Sequence, residues 1–172
     1  MIKIITDYDI RFFHFWRRHQ FSAKVDSFLR FYTRLGDGYV WTFVVAFLYF
    51  FYGFDFLIEI IKKVIPAIFI SLALYWLVKL STRRKRPFDL LKEVRAAVPP
   101  LDKYSFPSGH TMNNLAAGFV IFNAIPHIGA VMILMPLTWG LLRVYYGVHW
   151  LSDVVVGAIL GFASFYLSSI VL

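Results

Sequence analysis

The sequence contains no cysteine and few charged residues. With no Cys among 172 residues, disulfides and thiolate chemistry are excluded, and cysteine usage says nothing about the redox compartment. Charged residues make up only 16%, whereas a soluble domain carries about 25%. Hydrophobic residues reach 59% and aromatic residues 20%. This balance is typical of an integral membrane protein, which we expect to form a single domain over residues 1–172.

Acidic residues are scarce relative to basic ones. The sequence has ten Asp and Glu and eighteen Lys and Arg, which gives a formal net charge of +8. Such a charge suits an anionic lipid surface or a phosphorylated substrate. Nucleic acid is the usual partner of this charge in soluble proteins, and the membrane composition argues against it here.

The N-terminal 38 residues lack the pattern of a signal peptide. Asp7 and Asp9 stand where a basic leader should be, and no uncharged apolar core follows. Tyr8–Phe21 mixes aromatic residues with arginines, and apolar residues recur at helical spacing over Phe21–Tyr32. Both segments are predicted as amphipathic helices in the membrane interface, with a cap packed against the bundle as the alternative. Gly36-Asp37-Gly38 then ends the helix.

The remaining chain predicts an all-α, polytopic membrane helix bundle of about five to six spanning helices. Five candidate spans are Tyr39–Phe54, Val64–Leu80, Thr111–Ile125, Ile128–Tyr146 and Leu151–Leu172. The first and third are marginal against the minimum of roughly 17 residues. A polar segment with four prolines, Arg83–Ser108, separates the second span from the third and is expected on the membrane surface. Counting spans from that segment puts three polar clusters on one face of the membrane.

The last polar cluster contains Arg143, His149 and Asp153 between two apolar runs. Charged side chains between apolar, membrane-spanning segments cost free energy to desolvate, which favours a functional interpretation. His149 and Asp153 are four residues apart and would share one face of a helix. A carboxylate there can hold one ring nitrogen protonated and leave the other as a nucleophile or base. The alternative is a helix-end His–Asp pair among headgroups; Gly147 permits the turn between the spans.

The first polar cluster begins at Lys79. The second span is predicted to continue as a helix through Lys85, so Lys79 and Arg86, seven apart, would lie on one face. Two cations on one face suit a phosphate, since Arg contacts two oxygens and Lys acts as a point charge. The three basic residues between them are interpreted as membrane-end cations outside the site: Arg83, Arg84 and Lys85.

The middle polar cluster is a helix start. Pro107 and Ser108 precede an apolar run, which predicts Ser108 as the N-cap. The free amides of Gly109 and His110 would then face an anion, helped by the helix dipole. The alternative is an ordinary capped helix with an interfacial histidine. All three clusters together provide two imidazoles, one carboxylate, three cations and a helix N-terminus, which is an inventory for phosphoryl transfer without a metal.

These clusters resemble the signatures of a known family. Lys79-x6-Arg86-Pro87, Pro107-Ser108-Gly109-His110 and Arg143-x5-His149-x3-Asp153 look like the three motifs of the type 2 phosphatidic acid phosphatase (PAP2) superfamily, in order. The likeness covers roughly residues 36–165. It departs from the family at Leu142, where a Ser usually precedes the motif's Arg.

The resemblance implies a role for each site residue. His149 would be the nucleophile, through a phosphohistidine, Asp153 would orient it, and His110 would be the general acid. Neither a metal nor a cofactor is expected. The residues implied in phosphate binding are Lys79, Arg86, Ser108, Gly109 and Arg143.

The short chain is similar to small bacterial members of that family, which implies a phosphorylated lipid substrate. Lipid A 1-phosphatase is the favoured interpretation, because the aromatic, Arg-rich N-terminus could meet a large anionic glycolipid. Undecaprenyl-diphosphate and phosphatidylglycerophosphate phosphatases are the alternatives. The oligomeric state and acyl preference are left open by the sequence.

The orientation in the bacterial inner membrane presents a conflict. Sixteen of the eighteen Lys and Arg fall on the motif side of the five-span arrangement, and only Lys62 and Lys63 fall opposite. The positive-inside rule would therefore put the site in the cytoplasm. The resemblance favours a periplasmic site, and because several cations serve phosphate or headgroups, we expect the periplasmic orientation.

Three other functions fit parts of the pattern. A lipid phosphotransferase would use the same residues and discharge the phosphohistidine to another acceptor. A non-enzymatic membrane channel or anion-binding protein would use only the basic mouth. A zinc or iron site built from His110, His149 and Asp153 is disfavoured, because the neighbouring cations would repel a dication.

Overall fold

The computed structural model describes residues 2–171, with side chains from residue 6 to residue 170. The described residues form helices and no β-strand, so the all-α prediction is confirmed. In chain order the helices are α1 Ile2–Trp16, α2 Ala23–Arg34, α3 Tyr39–Tyr52, α4 Phe54–Thr82, α5 Pro87–Leu90, α6 Gly109–Ala124, α7 Pro126–Tyr145 and α8 Leu151–Val171. A 3-10 turn, Leu35–Asp37, joins α2 to α3.

Helix α6 is the centre of the bundle, with α4, α7 and α8 packed around it. Two glycines bring its neighbours close. A Cβ on Gly129 of α7 would lie 2.0 Å from the Phe122 Cα, and one on Gly161 of α8 would lie 2.5 Å from the Met112 carbonyl oxygen. Small residues at such contacts let membrane helices approach backbone to backbone. The marginal third span of the sequence is therefore the most enclosed helix, and its N-terminus is fixed by three neighbours.

Two helices of the described chain are long and apolar enough to cross a membrane, Pro126–Tyr145 and Leu151–Ile170. Ala23–Asp37 and Tyr39–Tyr52, which meet at a bend of 66°, would add a third if they act as one broken span. The five predicted segments all carry helices, although α4 begins at Phe54, well before the predicted start. Leu172, the end of the fifth predicted span, lies outside the described residues. The count of five spans stays a prediction.

The N-terminal helices pack on the bundle. Phe13 is fully buried against Trp150, with ring centroids 5.8 Å apart, and the Trp16 indole N–H donates to the Leu141 carbonyl over 3.1 Å. Tyr8 and Phe15, on other sides of α1, are 69% and 55% exposed. Helix α1 is thus amphipathic as predicted, and its buried face acts as a cap on α7 and α8.

The end of α4 differs from the sequence prediction. The helix stops at Thr82, Arg83 adopts a left-handed conformation with φ 46°, and its N–H donates to the Lys79 carbonyl over 3.0 Å. Arg86 is extended (φ −78°, ψ 161°) because a residue before proline, here Pro87, avoids the helical region. The predicted continuation of the helix through Lys85 is therefore wrong, and Lys79 and Arg86 do not share a helix face.

Candidate active site

A cavity of about 390 Å³ opens where α4, α6 and α7 end on one side of the bundle. Five predicted site residues line it: Arg86, Gly109, His110, Arg143 and His149. Its other wall is largely apolar and comes mainly from α3 and α4: Trp41, Ile68, Leu72 and Trp76. Leu72 and Trp76 are 40% and 48% exposed. The cavity thus joins a polar end to a wall that continues to the lipid-facing surface.

Three predicted residues do not line this cavity and lie behind its polar end. They are Lys79, Ser108 and Asp153, each 0% exposed. The structure therefore divides the predicted set into side chains that face the cavity and side chains that contact those from behind.

His149 lies in the connection between α7 and α8, which turns at Gly147 with φ 79°. The Nη1 of Arg86 lies 3.4 Å from its Nε2. Burial, and then the charges of Arg86 and Arg143, hold the pKa of His149 well below its usual value. The imidazole is therefore neutral at pH 7, and an arginine N–H directed at Nε2 leaves the proton on Nδ1.

Asp153 is close to His149 but makes no hydrogen bond with it. Its Oδ2 is 3.5 Å from the His149 Nδ1, which has no partner among the described residues. That oxygen instead accepts the Trp150 N–H over 2.7 Å. Asp153 occupies the third position of α8 and reaches back to the residue before the helix, as in half of a capping box. His149 precedes α8, so the expectation that the pair shares one helix face is wrong.

Arg84 holds the other oxygen of Asp153, with Nη1 to Oδ1 at 2.7 Å. The same guanidinium donates to Ser152 Oγ over 2.6 Å and to Asp9 Oδ2 over 2.5 Å. Asp9 in turn accepts from the Ser152 N–H over 2.9 Å and ties α1 to the start of α8. From the sequence, Arg84 is interpreted as a membrane-end cation outside the site, whereas in the structure Arg84 bonds directly to Asp153, a predicted site carboxylate.

Asp102 brings Lys79 and Arg86 together. Its Oδ1 accepts from Lys79 Nζ and from Arg86 Nη2, each over 2.8 Å, and its Oδ2 accepts the Tyr75 hydroxyl. Burial opposes ionisation of Asp102, but the hydrogen bonds from Lys79 and Tyr75 outweigh it and hold the pKa below its usual value. Lys79 also donates to the Tyr104 carbonyl over 2.7 Å. An ionised carboxylate therefore bridges two cations that were predicted to bind phosphate.

His110 is bonded to a carboxylate that the sequence did not indicate. The Asp37 Oδ1 lies 2.6 Å from the His110 Nε2, and Arg143 Nη1 lies 3.1 Å from the same nitrogen. The other amino group of Arg143 donates to the Pro99 carbonyl over 3.2 Å. Asp37 sits between two glycines, a pattern that indicates a turn and carries no signal of a site.

The N-terminus of α6 provides backbone donors next to these side chains. The helix begins at Gly109 with Ser108 at the N-cap position, as predicted, but the serine side chain makes no capping bond. Its Oγ accepts from the Thr111 hydroxyl over 3.1 Å. The first amides of a helix have no partner within the helix. In the described chain no acceptor bonds to the amides of Gly109 and His110.

The cavity thus combines two imidazoles, two guanidinium groups and helix amides around one volume. Cations and amides can stabilise a phosphoryl group, and a neutral imidazole can act as a nucleophile. The described side chains include no group of three or more His, Asp or Glu arranged to hold a metal ion.

Comparison with known proteins gives the following matches. A model of the PAP2 superfamily matches residues 60–172. A curated relative, the "Bacitracin transport permease protein BcrC" of Bacillus licheniformis, is 34% identical over 79 residues. That alignment covers 46% of this chain and spans only 39% of the relative's length.

Two solved structures share the fold over most of the chain. Aquifex aeolicus LpxE superposes with a TM-score of 0.77 and 31% identity, over 92% of this chain and 93% of that one. A transmembrane PAP2-type phosphatidylglycerolphosphate phosphatase of Bacillus subtilis superposes with a TM-score of 0.72 and 19% identity, over 96% of this chain and 85% of that one. At 19% identity the second match concerns the fold alone.

Proposed function

Because this chain belongs to the PAP2 superfamily, we propose that it is an integral membrane lipid phosphatase that works through a phosphohistidine intermediate. One observation carries the proposal: His110 and His149 line the same cavity as the guanidinium groups of Arg86 and Arg143. A phosphoryl group needs a nucleophile on one side, a proton donor on the other and positive charge around its equatorial oxygens.

In the first half of the reaction, His149 attacks phosphorus through Nε2. Its neutral form supplies the lone pair, and the Arg86 N–H beside that nitrogen moves to a phosphate oxygen. The bond between phosphorus and the lipid oxygen breaks as the P–N bond forms, and His110 gives a proton to the leaving oxygen. Arg143 and the amides of Gly109 and His110 stabilise the charge on the transferred group.

In the second half, water attacks the phosphohistidine. His110, now neutral, accepts a proton from that water, and the P–N bond breaks to release phosphate and restore His149. Asp153, held by Arg84, keeps the region behind the imidazole negative as it develops positive charge. Lys79 acts from behind the cavity through the carboxylate of Asp102.

No step of this scheme needs a metal ion. The cations that a metal would otherwise supply are present as side chains, and they would repel a dication from the same volume. Phosphate release in the presence of excess EDTA should equal the release without it, and loss of activity that Mg²⁺ or Zn²⁺ restores would contradict the metal-free scheme.

For the substrate we favour the 1-phosphate of lipid A. The support is the 31% identity to Aquifex aeolicus LpxE over nearly the whole chain, together with the aromatic N-terminal segment, which carries Arg11 within α1 and Arg17 and Arg18 just after it. A panel of purified lipids in detergent tests this choice: lipid A, undecaprenyl diphosphate, phosphatidylglycerophosphate and phosphatidic acid. A kcat/KM that is highest for one of the last three would move the assignment to that lipid.

The central experiment compares His149→Ala with the wild type and with His127→Ala. His127 is an exposed histidine at the start of α7, at the opposite end of that helix from Arg143, and serves as the matched control. We expect His149→Ala to release no phosphate while keeping its fold, and His127→Ala to behave as wild type. Brief reaction with ³²P-labelled lipid should give an acid-labile, base-stable phosphoprotein only when His149 is present. Turnover by folded His149→Ala would end the proposal.

A second candidate function is transport or binding of an anion without hydrolysis. The name of the Bacillus licheniformis relative, a transport permease, is the observation that favours it. A lipid phosphotransferase is the remaining alternative on the same site. Release of free phosphate would exclude transport or binding without hydrolysis. Phosphate recovered on a second lipid or sugar would favour the phosphotransferase.

We infer a bacterial inner-membrane location with the site facing the periplasm. Helix α8 starts beside the site and runs away from it, so its other end lies at the opposite side of the bundle. A reporter fused after Leu172 should therefore be active in the cytoplasm, and a periplasmic reporter signal would reverse the orientation.

A further inference from the structure

We propose that Asp37 is a positioning residue for His110: it fixes the imidazole and favours the protonated form that gives its proton to the leaving oxygen. The inference rests on the proposed phosphatase function. The Asp37 Oδ1 lies 2.6 Å from the His110 Nε2, and the histidine side chain is only 3% exposed. A contact this short to a buried imidazole is a charge-assisted hydrogen bond when the ring is protonated.

The backbone around Asp37 is held tightly, so its carboxylate has a defined position. The Asn114 side-chain amide donates to the Gly36 carbonyl over 3.0 Å, and its oxygen accepts the Trp41 indole N–H over 2.7 Å. A Cβ on Gly36 would lie 2.8 Å from the Trp139 ring and 2.9 Å from the His110 ring. Asn114 of α6 and the Trp139 ring therefore fix the 3-10 turn against His110. A residue that positions a catalytic side chain needs such a rigid support.

The charges around His110 explain why it needs a carboxylate. Arg143 Nη1 lies 3.1 Å from the same nitrogen, and Arg86 and His149 line the same cavity. Positive neighbours disfavour a protonated imidazole, and an anion in contact favours it. Among the described residues, Asp37 is the carboxylate bonded to this ring. With Nε2–H directed at Asp37, the Nδ1–H, which bonds to no described residue, is the proton available to the leaving oxygen.

The residue comes from a part of the chain outside the family match. The PAP2 model covers residues 60–172, whereas Asp37 belongs to the turn between α2 and α3. The N-terminal segment thus completes the acid side of the site. In the proposed step the P–O bond breaks, the Nδ1 proton moves to the lipid oxygen, and Asp37 stays ionised throughout.

The test compares Asp37→Asn with the wild type on two substrates. One is a lipid phosphate, whose alkoxide leaving group needs a proton, and the other is p-nitrophenyl phosphate, whose leaving group does not. We expect kcat for the lipid to fall by about 10²-fold, within the range that general acid catalysis supplies, and kcat for the aryl phosphate to fall less than about fivefold. The basic limb of the lipid profile should move to lower pH, since the protonated imidazole loses its anionic partner.

Three controls separate this role from others. Asp55→Asn, at an exposed carboxylate in the first turn of α4, should match the wild type. Asp37→Asn added to His110→Ala should cause no further loss, because both act through one proton. Asp37→Glu keeps the charge and should retain the wild-type basic limb even where kcat falls, which also tests the proposal if Asp37→Asn does not fold.

The outcomes distinguish the inference from the proposed function. If the wild type releases no phosphate from any lipid, the phosphatase proposal fails first. If the wild type is active and Asp37→Asn loses equally on both substrates with an unchanged pH profile, Asp37 has only a structural role. A basic limb displaced as far in Asp37→Glu as in Asp37→Asn would also overturn the inference.

Discussion

Arg84 offers the sharpest test of how the nucleophile is supported. Its guanidinium donates to Asp153, which is 0% exposed, and to Asp9, whose side chain is 4% exposed. Removing one partner of a buried pair costs about 3–5 kcal/mol, because the remaining charge has no compensation. The Arg84 side chain is itself 20% exposed, so water can partly replace it. For Arg84→Gln we expect a loss of about 2–3 kcal/mol in the free energy of unfolding.

The same substitution should also reduce catalysis. Without Arg84, Asp153 loses the charged donor on Oδ1 while Oδ2 keeps the Trp150 N–H, and the connection that carries His149 is held less firmly. A displacement of about 1 Å at a reacting group can lower the rate by about 10²-fold. We expect that loss in kcat, with KM nearly unchanged because Arg84 does not line the cavity. Arg84→Lys should recover part of it, since an ammonium group keeps the positive charge but lacks the planar fork with which Arg84 contacts both carboxylates.

The assay is thermal unfolding in detergent together with phosphate release from one lipid. Arg83→Gln is the matched control: Arg83 is exposed, and its side chain donates to the Leu80 carbonyl over 3.0 Å. An exposed substitution of this kind should change stability by less than about 0.5 kcal/mol. If Arg84→Gln and Arg83→Gln were indistinguishable in both measurements, the support of Asp153 by Arg84 would be refuted.

Three further outcomes are expected. The pKa of His149 lies well below its usual value, so kcat/KM should not fall as the pH drops through 6.5. The ionisation of the substrate, followed by ³¹P NMR, is first subtracted from the profile. An enzyme group that titrates near 6.5 and disappears in His149→Ala would contradict this expectation. Asp102→Asn should lower the melting temperature, and vanadate should restore part of the loss by pairing with the same cations; no response to vanadate in either protein would count against it. Gly129→Ala should destabilise the bundle by about 3 kcal/mol, because its Cβ would lie 2.0 Å from the Phe122 Cα. A wild-type melting temperature would refute the close packing of α6 and α7.

The fold was predictable from the sequence to the extent that apolar runs determine helices. The all-α architecture and the helical segments follow from runs such as Ile128–Tyr146, which differs from α7 by only a few residues. The amphipathic character of α1 was predicted as well, and its packing on the bundle matched the alternative interpretation. Helix ends were less predictable. Hydropathy carries no information on how Pro87 keeps Arg86 out of a helix. The predicted end of α4 was therefore wrong.

The contacts of the site were harder to predict than its residue types. Asp37, Arg84 and Asp102 lie in turns or loops, where the partner of a side chain depends on how distant segments return. Arg84 stands in a run of four basic residues, and spacing alone cannot separate it from Arg83. The roles of the predicted site residues stay predictions that only the substitutions described above can test. The predicted residues lie in or directly behind one cavity. This explains why the three separated clusters indicated a common site when considered together.

The apolar wall of the cavity has a consequence for how rates must be measured. A lipid that enters along Leu72 and Trp76 stays anchored by its acyl chains throughout the reaction, and its dephosphorylated product diffuses away in the same bilayer. Turnover would then depend on the mole fraction of substrate at the detergent or bilayer surface, and dilution of whole micelles with buffer would leave it nearly unchanged. Under the proposed function, the released phosphate is soluble in water and the lipid product is not, so the two products accumulate in different phases.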